Sequence, residues 1–205
     1  MAFIIDNIAL GKKVQESYLK TIASLAHAVE ARDSFTYGHS ARVASLGEEL
    51  ALRMGLTPGE VSKVKLAGLL HDIGKIGIPE SVLKKQGELT SEEFRHMREH
   101  PEIAVRILKP IEKLFDILPL IRHHHEKLNG KGYPLGLKGE EIPIGARILA
   151  VADTYDILIS ERPYRENFTS QEALHILDTE FDNQVDKRIL DLLKEYLKEA
   201  DCPEG

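Results

Sequence analysis

The chain has 205 residues, with 27 lysines and arginines against 33 aspartates and glutamates, which gives a formal net charge of −6. Hydrophobic residues make up 42% and charged residues 29%, so the chain can bury one substantial core. This composition excludes a disordered chain, a collagen-like repeat and a disulfide-stabilised scaffold, and the lack of a basic balance argues against a DNA or RNA partner.

Apolar residues recur every three or four positions through most of the chain, which is the periodicity of helices with one buried face. The first such run extends over Val14–Val29 and the second over Val43–Met54. The sequence Thr57-Pro58-Gly59-Glu60 predicts a helix start, with a threonine cap, a proline in the first turn and a glutamate three residues after the cap. We expect this third helix to end near Ile73-Gly74.

The same signals continue in the second half of the chain. Thr90-Ser91-Glu92-Glu93 is another capping sequence, and Pro101 and Pro110 are placed to open and close the helix that follows. One helical face is shared by Ile117, Leu120, Ile121 and His124. Further helices are predicted over Pro143–Ser160, Thr169–Thr179 and Val185–Lys198.

No segment alternates apolar and polar residues as a half-buried strand does, and no repeat or linker divides the chain. The one long stretch without helical periodicity, Leu128–Ile142, is rich in glycine, and a loop of that length in a compact domain is more often functional than idle. We therefore predict an all-α, single-domain helical bundle with one long glycine-rich loop. Residues 1–13 are expected to form an N-terminal extension or linker stub, and residues 14–205 the domain.

Cellular location follows from what the sequence lacks. Cys202 is the only cysteine, so neither an intrachain disulfide nor a thiolate metal cluster can form. No apolar run approaches the roughly 20 residues that a membrane span needs, and the N-terminus lacks the pattern of a secretion signal. We expect a cytoplasmic chain without direct membrane insertion.

Several histidine and aspartate residues stand at positions that suggest a metal site. His71-Asp72 follows an apolar helix, His124-His125 precedes the glycine-rich loop, and Asp153 lies in a helix of alanine and valine. A histidine and an aspartate at a helix end can reach one metal ion, and the carboxylate can bridge to a second. An unpaired buried carboxylate is costly, which favours a cation beside Asp153. The residues alone leave a salt bridge or a helix cap open as alternatives.

Two motifs resemble those of a known family. His71-Asp72-Ile73-Gly74-Lys75 is similar to the signature of HD-superfamily phosphohydrolases. About 50 residues later, His124-His125-Glu126 followed by Asn129-Gly130-Lys131-Gly132-Tyr133-Pro134 resembles the second signature of the HD-GYP subgroup. Further matches are Ile142-Pro143, Ala146-Arg147-Ile148, Ala152-Asp153 and Arg162-Pro163-Tyr164-Arg165. The resemblance, from about Leu25 to Leu193, implies an all-helical HD-superfamily fold and phosphodiesterase activity on cyclic di-GMP, a bacterial second messenger.

The resemblance also implies a metal centre. Its ligands fall on His39, His71, Asp72, His100, His124, His125 and Asp153. One metal is expected on His39, His71, Asp72 and Asp153, and the other on Asp72, His100, His124 and His125, so that Asp72 bridges. Imidazole and carboxylate form an intermediate ligand set, which suits iron, manganese, zinc, nickel or cobalt. The resemblance implies two divalent ions, with iron or manganese first among these metals. A third metal, which some members bind through a glutamate one turn before the first histidine, is not expected because Phe35 occupies that position.

The substrate residues are implied in the same way. Lys75 is expected at a phosphate oxygen, Arg162 and Arg165 at the second phosphate or a guanine edge, and Gly132 and Tyr133 along one wall of the site. A dipole-favoured lysine, a solvated arginine loop and a tyrosine that anchors the loop remain the structural alternatives. In the implied reaction, with Asp72 and Lys75 as catalytic residues, a hydroxide held between two metals attacks one phosphorus and opens the ring to pGpG, with GMP as a further product left open. Glu126 is expected to orient a metal-bound histidine.

Two other functions stay open at this point. One is a cyclic di-GMP sensor or docking module that does not hydrolyse its ligand, and the other is an HD phosphohydrolase of another nucleotide. The resemblance further implies an upstream sensor domain outside this chain. Residues 12–32 are a candidate signalling helix or homodimer contact.

Overall fold

The computed structural model describes residues 21, 24–32, 38–160 and 167–201. A first helix, α1, includes residues 24–30. The helices that follow are α2 (His39–Arg53), α3 (Pro58–Leu70), α4 (Glu80–Leu83), α5 (Ser91–Met97), α6 (His100–Leu108), α7 (Leu118–Arg122), α8 (Ile144–Ile159), α9 (Ser170–Thr179) and α10 (Lys187–Asp201). Short 3-10 segments cover Ile73–Gly77, Glu112–Ile117 and Gly139–Glu141. Among the described residues the only β pairing is one isolated bridge between Asn129 and Lys138, so the predicted all-α class is confirmed.

Both predicted capping sequences cap their helices. The Thr57 hydroxyl accepts the Glu60 N–H at the start of α3, and the Glu60 carboxylate accepts the Thr57 N–H at 2.9 Å. Thr90 and Glu93 form the same reciprocal pair at the start of α5. Because each box satisfies two backbone donors that the first turn leaves unpaired, these helix starts are encoded locally.

Two predicted helices are shorter than expected. α3 ends at Leu70, with His71 as its C-cap, and the chain then tightens into the 3-10 segment Ile73–Gly77. The predicted helical face around Ile117 and Ile121 is buried, but the α-helix there covers only Leu118–Arg122. In both places the helix ends where a histidine turns toward the centre of the molecule.

The core is organised around α8, which is apolar on nearly all sides and packs against α2, α3, α7, α9 and α10. Ile148, Leu149 and Val151 of this helix have no exposed surface. A smaller core of Ile78, Val82 and Leu83 lies beneath α4 and α5. Burial of α8 on all sides means that any polar side chain on it faces other protein groups.

The predicted glycine-rich loop is the main irregular stretch of the described chain. It contains the bridge between Asn129 and Lys138 and the 3-10 turn Gly139–Glu141. None of the described helices has the length and apolarity needed to cross a bilayer.

Candidate metal centre

The seven predicted ligands come from five parts of the fold and converge on one point. His39 is the first residue of α2, His71 caps the end of α3 and Asp72 follows it, and His100 is the first residue of α6. His124 and His125 follow α7, and Asp153 lies within α8. Six of the seven are buried and His125 is half-buried. Most of these side chains therefore belong to residues at or next to the end of a helix.

A first group joins His39, His71 and Asp153, whose nearest ligand atoms all lie within 4.8 Å of one another. The His39 Nε2 atom is 3.1 Å from Asp153 Oδ1, and His71 Nε2 is 3.9 Å from the same oxygen. A second group with the same compactness joins His100, His124 and His125. Its His100 and His124 Nε2 atoms are 3.4 Å apart.

Asp72 lies between the two groups. Its Oδ2 atom is 3.3 Å from His71 Nε2 and 3.8 Å from His39 Nε2, whereas its Oδ1 atom is 3.4 Å from His100 Nε2. One oxygen faces each group, which is the arrangement that a bridging carboxylate requires.

Each of four histidines directs its Nε2 atom into the cluster because its Nδ1 atom is engaged elsewhere. His71, His100 and His124 donate from Nδ1 to the backbone carbonyls of Gly68, Met97 and Ile121, at 2.7, 2.7 and 2.6 Å. A carbonyl can only accept, so Nδ1 carries a proton and Nε2 is the nitrogen left to bind a metal. His39 Nδ1 is 2.7 Å from the Asp156 carboxylate. Fixed tautomers of this kind are typical of metal-ligating histidines.

The cluster also contains a buried nitrogen without a partner. His71 Nε2 is fully buried and makes no hydrogen bond. Such orphaned polar atoms are rare because a buried acceptor without a partner costs free energy. A metal ion would satisfy this lone pair, so the residues present fit the group that the motif implies.

The protonation states of the residues in the cluster also favour metal binding. Burial is the main factor that lowers the pKa of His125 to about 3, and it also lowers the pKa of His100 and, strongly, that of His124. These imidazoles are therefore neutral and able to bind a metal. Burial disfavours the charge of Asp72, but His71 and Lys75 outweigh it and hold the pKa of this carboxyl well below its usual range. Asp72 is thus ionised.

His39 and His71 differ from these three histidines. Burial lowers the pKa of His71, but the Asp72 carboxylate outweighs burial and raises it. His39 behaves in the same way. Burial lowers its pKa, but hydrogen bonds to Asp153 and Asp156 outweigh burial and raise the pKa to about 10. In this state a protonated His39 and the Lys75 ammonium compensate the buried carboxylates. A bound metal would replace the proton on His39, because a ligating imidazole is neutral.

Asp156 and Arg42 support His39 from outside the cluster. Asp156 is buried on α8 and accepts from His39 Nδ1, while Arg42 donates to it from Nε at 2.6 Å and from Nη2 at 2.9 Å. The sequence analysis did not identify either residue. The available signal was a second aspartate one turn after Asp153 on an otherwise apolar helix.

Glu30 supports His39 through the backbone. Its buried carboxylate accepts the N–H groups of Gly38 at 2.9 Å and Ser40 at 2.7 Å, on both sides of His39. The Glu30 carboxylate therefore caps the start of α2. The N-cap residue itself, Gly38, has no side chain that could do so.

Glu126 differs from its predicted role. Its buried carboxylate accepts the N–H groups of Leu135, Gly136 and Leu137 at 2.7 to 3.1 Å, and the histidine beside it is His123, at 3.8 Å. His123 is not one of the predicted ligands. Glu126 therefore organises the glycine-rich loop rather than a ligand of the cluster.

The motif glycines are required by close packing. A Cβ atom on Gly74 would lie 1.9 Å from the His100 carbonyl oxygen, and one on Gly132 would lie 2.4 Å from the Lys127 nitrogen. Both distances are impossible for real atoms, so these positions accept only glycine without a backbone shift. Gly74 brings α6 against the turn after His71-Asp72, and Gly132 brings the loop against residues 125–127.

Two of the predicted substrate residues, Lys75 and Tyr133, contact residues of the cluster. Lys75 Nζ is 2.7 Å from Asp72 Oδ2, and the Tyr133 ring lies 4.7 Å from the His125 ring at an angle of 32°. The contact between Tyr133 and His125 fits a loop-anchoring role, which the sequence left open. Phe35, Arg162 and Arg165 lie outside the described residues.

The chain is similar to known proteins over most of its length. The HD domain family matches residues 23–189 of the chain. The cyclic di-GMP phosphodiesterase response regulator RpfG of Xanthomonas campestris pv. campestris is 41% identical over 188 residues, which are 91% of this chain and 50% of RpfG. The 3'3'-cGAMP-specific phosphodiesterase 2 of Vibrio cholerae is 37% identical over 196 residues, 95% of this chain and 38% of that protein. The chain thus spans half or less of the length of these relatives.

A solved structure with the same fold is that of Bd1817, an HDG"Y"P protein from Bdellovibrio bacteriovorus. It superposes with a TM-score of 0.65 at 25% identity, over 78% of this chain and 51% of Bd1817. The helical architecture described above is therefore one that a related protein adopts.

Proposed function

The chain belongs to the HD domain family, and from that premise we propose that it is a metal-dependent phosphodiesterase that hydrolyses cyclic di-GMP to pGpG. The observation that carries the proposal is the buried cluster in which Asp72 offers one oxygen to each of two groups of three ligands. RpfG, which is 41% identical, is named for this activity. A docking module would not need such a cluster.

We assign the first metal to His39, His71, Asp72 and Asp153, and the second to Asp72, His100, His124 and His125. HD-family membership and the histidine–aspartate groups support divalent metal binding. Iron or manganese is proposed because the ligand set combines imidazole with carboxylate and contains no thiolate among the described residues.

When bound, such metals act as Lewis acids and lower the pKa of water to supply a nucleophile near neutral pH. The protein's own residues do the remaining work. The histidine tautomers fix the positions of the ligands, and Asp72 is held ionised by His71 and Lys75. Lys75, 17% exposed at its side chain, is placed to exchange its contact with Asp72 for a phosphate oxygen and to stabilise negative charge there. Arg162 and Arg165 are proposed to bind the second phosphate or a guanine edge.

A second candidate substrate is 3'3'-cGAMP. It is favoured by the 37% identity to a protein named as specific for that dinucleotide. Both substrates contain guanine and two phosphodiesters, so the same cluster suits both. The two are distinguished by the rates at which the protein hydrolyses them.

The test is metal analysis together with turnover of cyclic di-GMP, on protein purified without oxygen. We expect about two metal equivalents per chain and a pGpG product peak on chromatography. His124→Ala is expected to lose metal and activity together, whereas His175→Ala, which removes an exposed histidine on α9, should retain both. Activity retained by His124→Ala would refute the metal assignment. Bound metals without product from either dinucleotide would instead indicate a sensor or another substrate.

We further propose that residues 14–205 form one phosphohydrolase domain preceded by a short extension at residues 1–13. An upstream sensor domain is part of the same proposal and is supported by the description of RpfG as a response regulator. A homodimer is proposed as the assembly. Light scattering gives the mass of the particle in solution, and a monomer mass would contradict the homodimer.

A further inference from the structure

An open groove of about 520 Å³ lies beside the metal centre. Its lining combines arginine and glutamate side chains of α5, of α6 and of the junction between them, where Arg98 and Glu99 lie, with Tyr133 and Pro134 of the glycine-rich loop. This volume is within the range of small-molecule sites. None of the functional roles assigned above uses the residues of α5 that line it.

Tyr133 connects the groove to the metal centre. Its ring is half-buried, lies 4.7 Å from the His125 ring and 6.4 Å from the His100 ring, and also lines the groove. The Tyr133 side chain therefore borders both the cluster and the groove.

Arg98 is the polar group best placed to receive such a molecule. Its guanidinium lies 4.5 Å from the centre of the Phe94 ring and 5.2 Å from the centre of the Tyr133 ring. Within the part of the chain that the structure describes, no carboxylate forms an ion pair with it. Contact with two rings restrains the planar group, and stacking leaves its N–H edge available for hydrogen bonds.

Glu99 supplies the complementary acceptor. Two glutamates line the groove, but Glu102 is already engaged by Arg122 at 2.6 Å. Glu99 is exposed, and its Oε1 atom is 3.7 Å from the His96 Nδ1 atom, beyond hydrogen-bond distance. Glu99 therefore lines the same groove as Arg98, and among the described residues its carboxylate has no partner within hydrogen-bond distance.

We propose that this groove binds one guanine base of the substrate, with Arg98 and Glu99 as specificity-determining residues. Guanine presents O6 and N7 as adjacent acceptors, which match the two-pronged donor edge of arginine, and N1–H and N2–H as donors, which match a carboxylate. Adenine has a donor where guanine has O6 and lacks both N1–H and the 2-amino group. The inference rests on the proposed cyclic dinucleotide activity and adds to it a base-reading subsite.

The test compares the metal-loaded wild type with Arg98→Gln, Arg98→Lys, Glu99→Gln and Lys109→Gln. Lys109 is an exposed cation at the end of α6, outside the groove, and controls for the loss of one positive charge. Steady-state kinetics are measured with cyclic di-GMP, 3'3'-cGAMP and cyclic di-AMP. Arg98 and Glu99 are exposed, so thermal unfolding is expected to be the same for all variants and serves as the folding check.

We expect Arg98→Gln to raise KM for cyclic di-GMP about tenfold, with kcat within about twofold of wild type. The KM for cyclic di-AMP should not change, and Arg98→Lys should not restore the wild-type value, because lysine lacks the planar fork. Glu99→Gln should raise KM for cyclic di-GMP in the same selective way, and Lys109→Gln should have no effect.

An unchanged KM in Arg98→Gln, or an equal rise for all three dinucleotides, would overturn the subsite and leave the proposed activity intact. If the wild type hydrolyses none of them, the same proteins are titrated with cyclic di-GMP by calorimetry. Binding that Arg98→Gln weakens would then support the subsite while refuting the activity. No binding by the wild type would refute both.

Discussion

At the scale of single residues, the supports of the metal ligands are of two kinds. His71, His100 and His124 are each oriented by a backbone carbonyl three residues earlier, whereas His39 depends on the Asp156 side chain, 117 residues away in the chain. The first kind is local and the second is formed only when α2 and α8 pack together. The two kinds of support predict different sensitivities to mutation.

Replacing Asp156 with asparagine should weaken the first metal site. The amide keeps an acceptor for His39 but removes the charge that raises imidazole basicity and that Arg42 contacts. We expect a loss of about 10- to 100-fold in metal affinity, measured by competition with a chelator. Asp178→Asn, which changes an exposed carboxylate on α9, is the control. Equal affinities in the two variants would contradict the support role.

Replacing Glu30 with alanine should destabilise the start of α2. The buried N–H group of Ser40 and the partly buried N–H group of Gly38 would lose their acceptor. Leaving a buried donor unpaired costs about 1–3 kcal/mol, so a fall of this size in the free energy of unfolding is expected from denaturant titration. Glu30→Gln retains one acceptor oxygen and should recover part of the loss. If Glu30→Ala unfolds at the wild-type denaturant concentration, the capping interpretation is incorrect.

At the scale of secondary-structure elements, the cluster depends on how closely α6 approaches the turn after α3. Gly74 permits this approach, and Gly74→Ala would place a methyl group 1.9 Å from the His100 carbonyl oxygen. The required shift should cost roughly 1–3 kcal/mol and displace His100 from the second group. Thermal unfolding and metal stoichiometry measure both effects. Gly59→Ala is the matched control, because nothing lies within 4 Å of the added atom.

Much of the helical framework was predictable, because its signals are local. Thr57 and Thr90 mark helix starts through reciprocal bonds with a glutamate three residues on, and apolar periodicity identifies α8. The end of α3 at Leu70 was not predictable from periodicity. The apolar pattern continues to Ile73, but His71 and Asp72 turn into the cluster and stop the helix.

The residues that form the cluster were predictable, and the residues that support them were not. The motifs identified all seven residues that converge, but the partners of Asp156, Glu30 and Glu126 are set by packing between distant segments. Glu126 illustrates the limit. Its position beside His125 in the sequence suggested that it orients a ligand. In the fold its carboxylate instead accepts hydrogen bonds from the backbone N–H groups of residues 135–137.

At the scale of the whole molecule, metal binding should stabilise the fold, because the ligands come from α2, α3, α6, α8 and the end of α7. A metal that binds only the folded state adds about 4 kcal/mol at a thousandfold excess over its dissociation constant. We therefore expect chelation to lower the melting temperature by roughly 2–4 °C for each kcal/mol lost. Differential scanning calorimetry with and without chelator measures the shift. His124→Ala should show a smaller shift, and a wild-type shift of zero would count against the metal centre.

The unequal support of the four histidines also bears on how this sequence can change over evolutionary time. Three of them take their orientation from backbone carbonyls, which every amino acid provides, so these imidazoles require no particular side chain at positions 68, 97 and 121. Packing still restricts position 68, because a Cβ atom on Gly68 would lie 2.8 Å from Ala44 Cα. His39 has no such freedom, because its partner is one particular carboxylate. We expect lineages that lose Asp156 to lose His39 as well. An alignment of relatives with intact and degenerate centres would show whether the two positions vary together.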